Sequence, residues 1–237
     1  MLTDAQLQQI MPNLVSVKRA LYLTPLNAPI QTYAIDTALR TAAFIAQLAH
    51  ESGEFRWMEE IWGPTDAQRR YEPPNDLAKR LGNTQAGDGK RFKGRGPIQI
   101  TGRFNYQTYG DLLGIDLVAD PAKAATPEIA FATAGLYWQR NGLNELADTR
   151  QFTAITRRIN GGSNGLADRQ MYYARALGVL APPAPRGLPL PRGHEAIAAA
   201  SKAKPKAVKK VVAKKAAAVK PTARKTAPKK AAAKGAA

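Results

Sequence analysis

Cysteine is absent from the chain, which excludes a disulfide framework and a thiolate metal site and suits a protein made in a reducing cytoplasm. Long apolar runs are missing too. Residues 1–30 lack a basic stretch followed by an apolar one, and Asp4, Lys18 and Arg19 interrupt the start, so neither a signal peptide nor a membrane span is expected. From Ala181 to Ala237 there is no aromatic residue, and Glu195 is the single acid against 12 Lys and 3 Arg. A segment without large apolar groups cannot bury enough surface to offset the entropy of ordering its backbone. The expectation is therefore a folded part over residues 1–180 and a disordered basic C-terminal tail. The total formal charge of +17 divides accordingly, about +14 in the tail and about +3 in the remainder.

What is present in the first 180 residues reads as mainly α. The clearest helix runs from about Thr37 to Glu51, where Leu39, Ala42, Ala43, Ala46 and Ala49 make one apolar stripe that Phe44, Ile45 and Leu48 widen. Asp36 is its expected N-cap and Ser52-Gly53 its end. An earlier helix is expected from about Asp4 to Tyr22, with Pro25 and Pro29 breaking the region that follows. Gly63 to Gly96 reads as long loops with one short helix near Leu77 to Leu81. A short extended piece is expected around Ile98 to Thr101, then helices over Phe104–Leu113, Pro127–Asn141, Phe152–Ile159 and Ala167–Leu180. No internal repeat is visible.

Chemistry concentrates in three stretches. Glu51, in His50-Glu51-Ser52-Gly53-Glu54-Phe55, lies seven residues after Phe44 and three after Leu48, on the apolar side of its helix. Burial against apolar walls raises a carboxyl pKa, which suits a general acid; a helix-end glutamate paired with a nearby arginine is the structural alternative. A glycosidase needs a second carboxylate, and Arg56-Trp57-Met58-Glu59-Glu60-Ile61-Trp62 offers Glu59 and Glu60. On a continued helix Glu60 would point away from Glu51 and lie about 13 Å along the axis, whereas a reversal after Gly53 would let the two face each other. An inverting enzyme needs about 6.5–9.5 Å between such groups. The alternative for Glu59 and Glu60 is a solvated pair between two packed tryptophans. In Gly94-Arg95-Gly96-Pro97-Ile98-Gln99-Ile100-Thr101-Gly102-Arg103-Phe104-Asn105-Tyr106, the glycines allow close backbone approach, and Gln99, Thr101 and Asn105 are spaced to line a groove that suits sugar hydroxyls. Singly, Gln99 or Asn105 reads equally well as a buried structural hydrogen bonder.

These blocks, with Ile159-Asn160-Gly161-Gly162, Asp168-Arg169 and Tyr172-Tyr173, resemble glycoside hydrolase family 19, which includes plant-type chitinases and phage endolysins. The resemblance covers most of residues 31–180 with its blocks in the family's order. It implies a two-lobed, lysozyme-like helical fold with a central cleft, and an inverting reaction without metal or cofactor. It implies Glu51 as general acid, Glu60 as general base and Thr101 as the hydroxyl that helps hold the water. His50, Gln99, Asn105, Tyr106 and Asn160 would bind substrate, with Arg169 beside the carboxylates. Glu59 competes for the role of base. Two departures stand out: Glu54 occupies a position where many relatives carry a second Gly, and Phe104 one where chitinases have Tyr.

Chitin and peptidoglycan share a β-1,4-linked N-acetylglucosamine-type backbone, so the carboxylates do not choose between them. Without cysteine or signal sequence, the chain resembles the compact phage and prophage lysozymes. The expectation is a monomeric peptidoglycan muramidase, made in the host bacterial cytoplasm and released to the wall at lysis, with a chitinase as the alternative. Residues 181–200 form a Pro-rich linker and residues 201–237 a Lys/Ala/Pro-rich cationic tail. Val208, Val211, Val212 and Val219 fall near one side of a helix that would form on an anionic outer-membrane or lipopolysaccharide surface; the alternative is a solvated tail that only adds solubility. A rival class is a nucleic-acid binder acting through its histone-like tail, since non-specific phosphate binding needs only charge. The tail has no aromatic for base stacking and the folded part is nearly neutral, which disfavours it.

Overall fold

The computed structural model describes residues 1–181, so the expectations for the linker and tail from Pro182 onward lie outside the described residues. Within them the chain forms α1 (Asp4–Ile10), α2 (Ser16–Thr32), α3 (Ala38–Ser52), α4 (Asp66–Arg69), α5 (Asp76–Leu81), α6 (Asp88–Arg91), α7 (Arg103–Leu113), a 3-10 turn (Pro121–Ala125), α8 (Pro127–Arg140), α9 (Leu143–Asp148), α10 (Phe152–Asn160) and α11 (Leu166–Leu180). No described residue belongs to a sheet. The extended piece expected at 98–101 survives only as isolated antiparallel bridges, Glu59 with Arg95 and Arg95 with Ile100. Among the described residues no helix is long and apolar enough to cross a membrane.

The central element is α3. Every residue from Thr41 to Ala49 is buried, and its four alanines there let neighbouring helices approach on all sides. The side of α11 that carries Arg169, Tyr172 and Ala176 packs along it, with α9 against another side. Its cap is Thr37, whose hydroxyl accepts from the Arg40 amide, so the expected Asp36 lies one residue outside the helix.

The N-terminal region departs furthest from expectation. The chain breaks after Ile10, and α2 then runs through Pro25 and Pro29. A proline inside a helix forfeits a hydrogen bond and crowds the carbonyl four residues back, at roughly 3 kcal/mol. Tertiary packing offsets this: Leu26, Pro29 and Ile30 are buried and α2 lies along α8. Asn27 adds a two-way clamp, accepting from the Leu2 amide at 2.7 Å and donating to the Leu2 carbonyl at 2.9 Å.

Two apolar cores result. The larger gathers α1, α2, α3, α10 and α11 around Phe44, Phe55, Phe131 and Trp138. The smaller gathers Phe92, Ile100, Tyr106, Tyr109, Leu117 and Leu136. Tyr33 and Tyr137 pack against both, and the chain crosses between them at Ile98, in the larger core, and Ile100, in the smaller. This is the two-lobed helical arrangement that the sequence implies.

Candidate active site

The turn after α3 decides where the second carboxylate goes. Gly53 enters the left-handed region at φ 58°, and Glu54 and Phe55 follow it at 56° and 60°. Two non-glycine residues in that region cost about 1–2 kcal/mol each, and their side chains are what hold them there. Glu54, 5% exposed, accepts from the Asn13 backbone amide at 2.7 Å, from the Asn13 side chain at 2.9 Å and from the Tyr172 hydroxyl at 2.7 Å. Burial and this carboxylate push the Tyr172 hydroxyl pKa up. Phe55 packs edge-on against Tyr22 and Phe131, with centroids 5.7 and 5.0 Å away. The helix therefore ends at Gly53 in a left-handed turn, and Glu54, the departure from the family pattern, anchors it.

On the α3 side, Glu51 occupies the last turn with its side chain 22% exposed, and its Oε1 accepts from Arg169 Nη2 at 2.7 Å. Arg169 is 1% exposed; its other arm donates to Gln47, whose Nε2 donates to the Thr156 hydroxyl at 2.9 Å. The alternative reading of Glu51, a helix-end glutamate beside an arginine, is thus realised, and the arginine is the one that the family resemblance places near the carboxylates. His50 Nδ1 meets Asp168 Oδ2 at 2.5 Å. Its ring rests on Gly165, where any Cβ would collide with it. Asn160 closes α10 and donates to the Asn164 carbonyl at 2.9 Å.

The other half of the site is built on three short backbone segments. The Glu60 amide donates to the Gly94 carbonyl and the Gly96 amide to the Met58 carbonyl, both at 2.8 Å, while Arg95 and Ile100 exchange amide bonds at 3.2 and 3.0 Å. Successive side chains of an extended segment point to opposite sides. Glu59, with its side chain 43% exposed, meets Arg95 Nε at 2.8 Å and Lys93 Nζ at 3.3 Å. Glu60, 3% exposed, accepts from Gln68 Nε2 and from the Gly94 amide, each at 3.0 Å. The two are therefore not a solvated pair: Glu59 is consumed by cations and Glu60 is buried among neutral donors. Each Glu60 oxygen keeps a second lone pair.

Gln99 lies against Gly94, where a Cβ would strike its carbonyl oxygen. Thr101 is buried and its carbonyl accepts from Asn105 Nδ2 at 2.7 Å. Asn105 Oδ1 is buried with no hydrogen-bond partner among the described residues. Tyr106 requires correction as a substrate-binding residue. It is fully buried, and its hydroxyl donates to the Lys93 carbonyl at 2.6 Å and accepts from Arg95 Nη1 at 2.8 Å, so it holds the scaffold.

Three residues not singled out in the sequence belong here. Gln68 caps α4 and donates to Glu60; Thr65-x-x-Gln68 is a capping box that is legible in principle. Tyr71 lies close enough to Glu60 that burial and that charge push its pKa up to about 12. Tyr137 is pushed up to about 12 by burial and by Glu51, and packs against both cores. Glu51, His50, Asn160 and Arg169 thus sit on elements of the larger core, and Gln99, Thr101 and Asn105 on segments bound to the smaller, beside Glu60. Among the described residues, Glu51 has a buried counter-ion and Glu60 has neutral donors.

A family model described as chitinase class I, of the glycosyl hydrolase 19 group, matches residues 31–175. A glycosyl hydrolase family 19 domain-containing protein of Haemophilus influenzae is 33% identical over 200 residues, 75% of this chain and 96% of that one. An endochitinase of Arabidopsis thaliana is 42% identical over 122 residues, 51% of this chain and 39% of its own. The chain spans about half or less of the length of the Arabidopsis thaliana and Oryza sativa chitinases it matches. Among solved structures, chitinase C from Streptomyces griseus superposes with a TM-score of 0.60 over 75% of this chain and 91% of that one at 23% identity, a likeness of fold. A class IV chitinase from Zea mays superposes with a TM-score of 0.57 at 29% identity, over 76% of this chain and 92% of its own.

Proposed function

The chain belongs to glycoside hydrolase family 19, and from that premise we propose that it is a lysozyme-type endolysin that hydrolyses the β-1,4 bonds of peptidoglycan glycan strands with inversion. What supports the mechanism is the family match together with the motif blocks that hold Glu51 and Glu60. In an inverting hydrolysis one carboxyl protonates the leaving oxygen while the other takes a proton from a water on the opposite face of the sugar. Glu51 is the donor and Glu60 the acceptor, the roles that the family resemblance implies; the buried Arg169 guanidinium, which favours the ionised form of Glu51, holds that side chain in place. Thr101 helps hold the attacking water. Gln99, Asn160, His50 and Asn105 are the proposed sugar contacts.

Peptidoglycan is favoured as substrate by the lack of cysteine and by the chain's resemblance to the compact phage lysozymes of the family. The second reading, a chitinase, is favoured by the names of those plant relatives and of the Streptomyces griseus protein. The Lys-rich segment of residues 201–237 is proposed to draw the enzyme to an anionic outer-membrane or lipopolysaccharide surface, with non-specific nucleic-acid binding as a side effect of its charge. In this reading the protein acts as a monomer, is made in the host cytoplasm and reaches the wall at lysis. Mass analysis of fragments released from purified sacculi tests the substrate. Fragments ending in reducing N-acetylmuramic acid support the muramidase, and intact sacculi alongside chain-cleaved chitin oligomers support the chitinase.

A further inference from the structure

A concavity opens on the outer side of α11. A groove of about 720 Å³ runs between the start of α10 and the outer side of α11, where Ala167, Gln170, Ala174 and Leu177 face it. Arg169, Tyr172 and Ala176 point the other way, into the protein, so the groove is on the reverse of the helix that pairs with Glu51. Its lining includes the rings of Phe152 and Tyr173, stacked face to face at 4.3 Å and 8°.

The groove is also cationic. Arg150 and Arg157 line it, both exposed, and neither meets a carboxylate among the described residues. The neighbouring acid, Asp148, is already taken by Arg40 at 2.6 Å. Arg150 is held in the left-handed region at φ 57°, and it lies near enough to Tyr173 to counter part of the rise that burial gives that hydroxyl's pKa. No side chain caps the first turn of α10, so its amides add positive potential at the same end. Arg157 stands one turn before Asn160, about 4.5 Å of helix rise, which starts the groove beside the loop that Asn160 opens.

We propose that this groove binds the short peptide branches that peptidoglycan carries on its glycan. The inference rests on the reading of wall glycan as substrate. Such a branch is alanine-rich and bears free carboxylates. Guanidinium groups take carboxylates in bidentate fashion, and the ring-lined floor takes methyl side chains. Chitin carries neither group. A strand passing Asn160 would direct its branch toward Arg157, and the groove would then favour peptide-bearing glycan over bare polymer.

The test uses the full chain and its R150Q/R157Q variant, whose substitutions are exposed; matching melting curves establish that the variant folds. Titration with a soluble wall tetrapeptide, followed by NMR shifts of Phe152 and Tyr173, is expected to show binding that the variant weakens about tenfold. On intact sacculi the variant's KM is expected to rise about tenfold with kcat retained, while on glycan stripped of peptide by an amidase KM stays unchanged. Failure of the wild type to bind the tetrapeptide, or an equal loss on intact and stripped glycan, overturns the proposal. If the enzyme cleaves chitin oligomers and no wall glycan, the substrate reading fails, and the tetrapeptide titration still tests the groove by itself.

Discussion

The two halves of the active site keep their carboxyl groups in place by different means. On the larger core, Glu51 and His50 are held by charged side chains reaching across from α11, Arg169 at 2.7 Å and Asp168 at 2.5 Å. On the smaller, Glu60 is held by a backbone amide and a glutamine, while the adjacent cations Arg95 and Lys93 go to Glu59. The chain thus separates its acids by counter-ion as well as by position.

Neutralising each acid in turn probes this contrast most severely. Glu51→Gln and Glu60→Gln are each expected to lower kcat by about 10²–10⁴-fold with the fold kept, whereas Glu59→Gln, which removes a partly exposed ion pair, costs at most a few-fold. Steady-state kinetics on soluble glycan oligomers checks all three, and a Glu59 variant as inactive as the Glu60 variant would exchange their roles. Next in size is Arg169→Leu. It strips Glu51 and Gln47 of their buried partner and is expected to destabilise the protein by about 3 kcal/mol in urea unfolding, the low end for a buried pair because Glu51 is partly exposed. An effect below about 1 kcal/mol would show that the counter-ion is not structural.

Glu54→Gly probes the turn that joins the halves. It leaves the Asn13 and Tyr172 donors unmatched, at about 1–3 kcal/mol, and relieves about 1–2 kcal/mol of left-handed strain. A net loss near 1 kcal/mol is expected, read from the urea midpoint; a gain would mean that the anchor does not hold the turn. The smallest effect is acid sensitivity in the smaller lobe. Burial pushes the Asp88 carboxyl up, but the Arg103 guanidinium and the amides of Gln85 and Thr84 outweigh it and hold the pKa below its ordinary value. A folded pKa below the unfolded value, about 3.9, means that this stabilisation is complete above that pH and is lost as pH falls through the lowered one. Asp88→Asn is expected to flatten the stability profile below about pH 4, and an unchanged slope would show that Asp88 has no part in it.

Legibility in the sequence follows the kind of signal. The span of α3 is readable to within a residue, because a 3.6-residue apolar period ends at a glycine. Its neighbour α2 is not, because Pro25 and Pro29 are tolerated only through burial against α8, which no local pattern records. The helices α4 and α6 are four residues long, too short to show a period. The carboxylates and Arg169 are legible through motif order, while the duties of Glu54 and Tyr106 depend on partners distant in the chain: Asn13 and Tyr172 for the first, Lys93 and Arg95 for the second.

Catalysis in this scheme is a direct displacement by water, activated by Glu60 as Glu51 releases the leaving sugar. Proton NMR of the first reducing ends formed from a β-linked glycan oligomer reads this before mutarotation. The α-anomer, absent when Glu51→Gln or Glu60→Gln is used, is the predicted result. Initial release of the β-anomer, or undiminished release by either variant, would contradict it.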